Sequence, residues 1–164
     1  MADRRPEDLA DVEAFLAAPK ELQGRISWRP KEVRSDWTHT AHVVIVINGT
    51  LESGSLRLTA HVFRDPPKYS FALLWRGARI LGLDVGLGFS HFNPSTKMRI
   101  VGTHWQQWPS MEAEADSRSL GHRGWFDAFL DRAHIRPVKA RYVAPPFKSL
   151  QLELPLWTIP SIRK

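Results

Sequence analysis

Side chains capable of chemistry crowd into one stretch of the sequence, from Asp84 to Trp108. It opens Leu83-Asp84-Val85-Gly86-Leu87-Gly88-Phe89-Ser90-His91-Phe92-Asn93-Pro94 and resumes Ile100-Val101-Gly102-Thr103-His104-Trp105-Gln106-Gln107-Trp108. Asp84 closes one strand pattern, and a glycine-bearing loop then presents His91 and Asn93. A second strand pattern ends at Gly102, just before His104. If those two strands pair, both imidazoles and the carboxylate reach one end of a sheet, on loops held by rigid elements. Two imidazoles that titrate near neutrality can divide general-base and general-acid work. In RNA cleavage one would take the 2′-hydroxyl proton and the other would protonate the leaving 5′ oxygen. Asp84 would hold one ring in a single tautomer, while Arg79, Lys97 or Arg99 would neutralise charge building on phosphorus. Trp105 and Trp108 would stack unpaired bases, with Gln106 beside them. The scheme needs no metal and no cofactor.

The same residues carry other readings. Asp84, His91 and His104 could form one facial set of metal ligands, although their spacing is not a compact motif such as HExxH. Loop histidines also serve as hydrogen-bonded structural groups, and tryptophans as packing. Asn93-Pro94 is a turn signal whatever the function. His39, His42 and His61 fall in strand patterns, and His122 and His134 flank a helix pattern. No GxSxG, no Walker phosphate loop and no GxGxxG opening a helix is present.

The elements that must position this stretch are legible in outline. Residues 6–18 predict a helix: Pro6 suits its first turn, Glu7, Asp8 and Asp11 its positive end, and Leu9, Val12, Phe15 and Leu16 its apolar stripe. Pro19 and Gly24 stop it. Ile26 and Trp28 then alternate with polar neighbours up to Pro30. His39–Ile47 is β-branched and runs into Asn48-Gly49, a turn pair. Leu56, Leu58, Ala60 and Val62 alternate as a half-buried strand. Tyr69–Trp75 and Ala78–Val85 follow, joined by Arg76-Gly77, which makes an antiparallel meander. Gly86–Lys97 predicts irregular structure, Met98–Val101 a short strand, and 110–124 a loop. Trp125, Phe126, Phe129 and Leu130 give a second helix its apolar face near 125–135. Val138–Val143 and Leu150–Leu154 predict late strands, before a Pro-rich tail over 155–164. With no repeat or linker, the expectation for residues 1–164 is a single α+β domain. It has an N-terminal helix within 1–20, a sheet of about five to seven strands and the second helix.

Composition narrows the function classes. The 164 residues include no cysteine, which excludes disulfides, thiolate nucleophiles and cysteine-ligated metal. The longest apolar runs have five residues, far short of the roughly twenty that span a bilayer, and no secretory leader is legible. A cytoplasmic protein with no membrane partner is therefore expected. The net charge of +6 is unevenly placed. Residues 22–109 and 132–164 each carry +6, while 1–21 and 110–131 each carry −3. Two basic blocks brought to one face would attract RNA or DNA, in a salt-dependent way.

The Asp84 strand end, the His91-Phe92-Asn93-Pro94 loop and Gly102-Thr103-His104-Trp105-Gln106-Gln107-Trp108 resemble small prokaryotic proteins with HxNP and GxHxHxW motifs, similar to TumE-like toxins. The resemblance extends over about residues 40–135. It implies a protein of a toxin–antitoxin, defence or mobile-element system, paired with a small antitoxin or defence-complex partner. The chain departs from the pattern at Gln106, where the second histidine of HxH would stand; an amide cannot exchange protons near neutrality. The sequence thus leaves open a metal-independent endoribonuclease, a non-catalytic nucleic-acid-binding subunit, and a protein-interaction module. The last would dock through the acidic first helix or the tail.

Overall fold

A computed structural model describes residues 9–31, 38–47, 50–138 and 140–147. The first helix, α1 (Leu9–Ala17), buries Val12 and Phe15 as its stripe requires. Pro6, Glu7 and Asp8 lie outside the described residues. The C-terminal carbonyls of α1 are met by a side chain: Lys20 Nζ donates to the carbonyl oxygens of Phe15 (2.7 Å), Leu16 (2.9 Å) and Ala18 (2.6 Å). Those carbonyls would otherwise be orphans of the helix end. Burial pulls the Lys20 ammonium down to about 8.

Lys20 also begins a strand, β1 (Lys20–Gln23), where Lys20 and Leu22 are buried. The strand expected around Ile26 and Trp28 is absent; only the two-residue β2 (Arg29–Pro30) forms there. Next come β3 (Thr38–Ile47), β4 (Thr50–His61), β5 (Lys68–Trp75) and β6 (Ala78–Val85), the expected meander. The β5–β6 turn has positive φ at both Arg76 (48°) and Gly77 (82°), the conformation of a two-residue hairpin loop. Three short strands follow where irregular chain or other boundaries were expected: β7 (Ser90–Asn93), β9 (His104–Gln107) and β10 (Ala113–Ala115). Met98–Val101 is strand β8, as expected. The second helix, α2 (His122–Arg132), leads into β11 (Ile135–Pro137), and described residues 138 and 140–143 form no strand. Leu150–Leu154 and the 155–164 tail lie outside the described residues.

The main sheet runs β10-β9-β6-β5-β4-β3-β1-β11, with β2 on β3; β7 and β8 form a separate hairpin. All its pairs are antiparallel except β1 with β11. The α+β class and the antiparallel sheet thus stand, and the parallel edge made by β11 is added to them.

Strand alternation gives the sheet two unlike faces. On one, Leu56, Leu58, Phe71, Leu73, Trp75, Leu81 and Leu83 are buried, together with Trp125, Phe126 and Phe129 of α2. Phe71 lies 5.7 Å from Phe129, and Phe15 of α1 lies 5.4 Å from Trp75. Gly54 accommodates that helix, since a Cβ there would approach Phe15 to 2.7 Å. Both helices occupy this face. The other face carries Thr40, His42, Arg57, Thr59, Ser70, Gly82, Asp84, His104 and Gln106, and it is where function must be sought.

Candidate functional site

The helix-free face divides into a basic groove and a polar cluster. The groove is a cavity of about 630 Å³. Its cations are Arg29 and Lys31 from around β2, Arg57 on β4 and Arg79 on β6, and its polar groups are Thr40, His42, Thr59 and Ser70. Among the described residues no carboxylate lines it. Arg57 stands on the outward phase of β4, between buried Leu56 and Leu58, so burying the core turns it toward the groove. His42 and Arg57 are register partners on β3 and β4. The His42 imidazole is held below its ordinary pKa, first by burial and then by the Arg57 charge.

Arg79 links groove to cluster. Its side chain lies flat over Gly82, where a Cβ would collide with the guanidinium. It donates through Nη2 to Asp84 Oδ1 at 3.4 Å, and its buried Nε finds no hydrogen-bond partner among the described residues. An arginine with a donor to spare, on a cavity whose described lining holds cations and no carboxylate, is suited to an anion.

Asp84 and His104 are directly opposed on β6 and β9. This convergence has a different origin from the one expected. His104 lies within a strand and not beyond one, and Met98–Val101 pairs with β7 instead of with the Asp84 strand. His104 Nδ1 donates to the Gly102 carbonyl at 2.7 Å, which leaves Nε2 facing Asp84 Oδ2 at 3.5 Å and Gln106 Nε2 at 3.5 Å. Gln106 Nε2 also donates to His91 Nδ1 at 2.8 Å. One amide therefore bridges two imidazoles whose centroids are 6.0 Å apart. His91 reaches this point on the β7–β8 hairpin. Asn93 clamps that hairpin to β10, donating to the Ala113 carbonyl (2.8 Å) and accepting from its N–H (2.7 Å).

The expected site residues thus separate. Asp84, His91, His104, Gln106 and Arg79 come together. His104 is only 1 % exposed, whereas His91 is half-buried. A two-imidazole scheme needs both rings at the substrate, and the His104 ring is closed off. Lys97 and Arg99 are exposed on the hairpin. Trp105 points to the opposite face, 3 % exposed, stacked at 5.9 Å on Phe129 with its Nε1–H donated to Asp116 at 2.9 Å. Trp108 packs against the core as well. The Trp105 indole is closed to a base, because the register that turns His104 and Gln106 outward turns Trp105 inward, and Trp108 is half-buried. The facial ligand set does not assemble either: among the described residues no three His, Asp or Glu side chains are grouped to hold a metal ion.

Sequence reasoning missed Arg29, Lys31, His42 and Arg57 as individual site residues. Their signal was the +6 block over 22–109 and their polar phase on apolar strands.

In comparisons with known proteins, no family model, no curated protein and no solved structure matches the chain. No described helix is long and apolar enough to cross a membrane.

Proposed function

We propose that the chain binds single-stranded nucleic acid, with RNA the preferred form, and lays its phosphates along the basic groove. The observation that carries this reading is the convergence of Arg29, Lys31, Arg57 and Arg79 on one cavity that no carboxylate lines among the described residues. Duplex readout commonly inserts a helix into the major groove, but the two helices among the described residues pack against the far face of the sheet. An open sheet face bearing cations fits a flexible single strand. The motif resemblance adds a prokaryotic toxin–antitoxin, defence or mobile-element system and a small protein partner, and the cytoplasm is the setting proposed from the absence of a legible leader or apolar span in the sequence.

The binding reading ranks ahead of the nuclease reading because the His104 ring is closed to substrate. A metal-independent endoribonuclease is the alternative reading, on the half-buried His91 ring that the Gln106 amide fixes through Nδ1. With Nδ1 accepting, a neutral ring carries its proton on Nε2, which would donate to a phosphate oxygen and could take a 2′-hydroxyl proton only once the Gln106 bond is released. Incubation of labelled single-stranded RNA with the protein, in the presence of chelator, separates the two. The proposal expects a retarded but intact RNA. Cleavage that is lost in His91→Ala would establish the nuclease, and absence of any binding at low salt would overturn both.

A further inference from the structure

We infer that Phe92 is a base-stacking residue and that the outer face of the β7–β8 hairpin is a platform for an unpaired nucleobase. This rests on the nucleic-acid reading of the groove and names what holds the bases. Register pairs Phe92 with Arg99 and Ser90 with Val101. Directly opposed residues share a face, so these four point away from the main sheet while His91 and Asn93 point toward it. The Phe92 ring is 48 % exposed and Val101 65 % exposed. Arg99 Nη1 donates to Ser90 Oγ at 3.1 Å, which fixes a guanidinium on the same face as the ring.

The platform is rigid. Asn93 is buried and bonded twice to Ala113, His91 is held by Gln106, and Ser95 binds Glu112 through its N–H and its hydroxyl. That last contact also occupies the carboxylate nearest the hairpin turn. An exposed aromatic ring beside a fixed guanidinium offers a flat apolar surface to any base and a positive charge to its phosphate. A protein partner would use the same ring for burial alone. Charge favours the nucleic acid, since Arg99 is the register partner of Phe92 and Lys97 is exposed on the same hairpin.

The test uses the full chain and two fluorescent probes: an oligouridine and an abasic oligonucleotide of equal length, with the same phosphates and no bases. Phe92→Ala is expected to weaken oligouridine about tenfold, a loss typical of one stacked base. The abasic probe should bind the variant as it binds the parent, and Phe92→Trp should restore oligouridine affinity. An unchanged oligouridine affinity in Phe92→Ala, or an equal loss on both probes, overturns the inference while leaving the groove intact. If the unsubstituted protein binds neither probe, the groove reading itself fails.

Discussion

Asp84 and His104 stand opposite one another on paired strands, Oδ2 3.5 Å from Nε2, and each is held by a further group. Arg79 reaches Asp84 from the groove side, and Gln106 ties His104 to His91 on the hairpin side. A continuous polar chain thus crosses β6 and β9 from the basic cavity to the hairpin. Its two ends are accessible, and its middle is closed.

Gly82 makes the groove end of that chain. A methyl group there would occupy the space of the Arg79 guanidinium. Gly82→Ala is expected to dislodge Arg79, break its contact with Asp84 and lower RNA affinity as far as Arg79→Ala does. Parallel titrations of the two variants, with melting curves to confirm folding, check this.

The two histidines should behave differently as structural elements. His104→Ala removes a buried ring and leaves the Gly102 carbonyl without its donor, at a cost of about 2–3 kcal/mol. His91→Ala leaves a half-buried position open to water and should cost under about 1 kcal/mol. Urea unfolding of both variants at neutral pH measures the contrast.

His122 supplies an acid-sensitive point away from the groove. Its ring lies among Tyr69 (4.6 Å), Phe71 (5.3 Å) and Phe147 (5.8 Å), bonded through Nδ1 to the Tyr142 hydroxyl, and burial pushes its pKa down to about 4. The unfolded chain therefore binds this proton first. Stability should decline as pH falls from about 6.5 toward 4, then level off with respect to this group. His122→Phe should flatten the decline in thermal melts taken across that range.

His42 gives binding its own pH dependence. Burial and Arg57 hold the imidazole below its ordinary value, and a bound phosphate would oppose the Arg57 charge. Its pKa then rises on binding, so the complex takes up a proton and affinity increases as pH falls through the region below about 6.5. His42→Gln should remove that increase. Titrations at several pH values and constant ionic strength supply the test.

The meander was legible because β3 is β-branched, β4 alternates from Leu56 to Val62 and Arg76-Gly77 joins the apolar β5 and β6, and α2 because Trp125, Phe126, Phe129 and Leu130 recur at helical spacing. The strand β1 escaped notice because its first buried residue is a lysine. Its burial depends on three α1 carbonyls, which are visible only in three dimensions. The short strands β7 and β10 contain or adjoin Pro and Glu, and the Asn93 side chain links them by bonding both backbone groups of Ala113. The cluster of Asp84, His91, His104 and Gln106 was legible by composition. The faces of Trp105 and His104 were not, because one residue of register decides which of two neighbours is buried in the core and which joins the polar face.

The central claim is that four cations in one cavity hold a nucleic-acid backbone. Its most direct test is the dependence of Kd on salt for a short single-stranded RNA. For four phosphate contacts, log affinity should fall with log salt at a slope of about −3, and Arg57→Ala should make that slope shallower by roughly 0.7. A slope near zero, or one that Arg57→Ala leaves unchanged, would contradict the account.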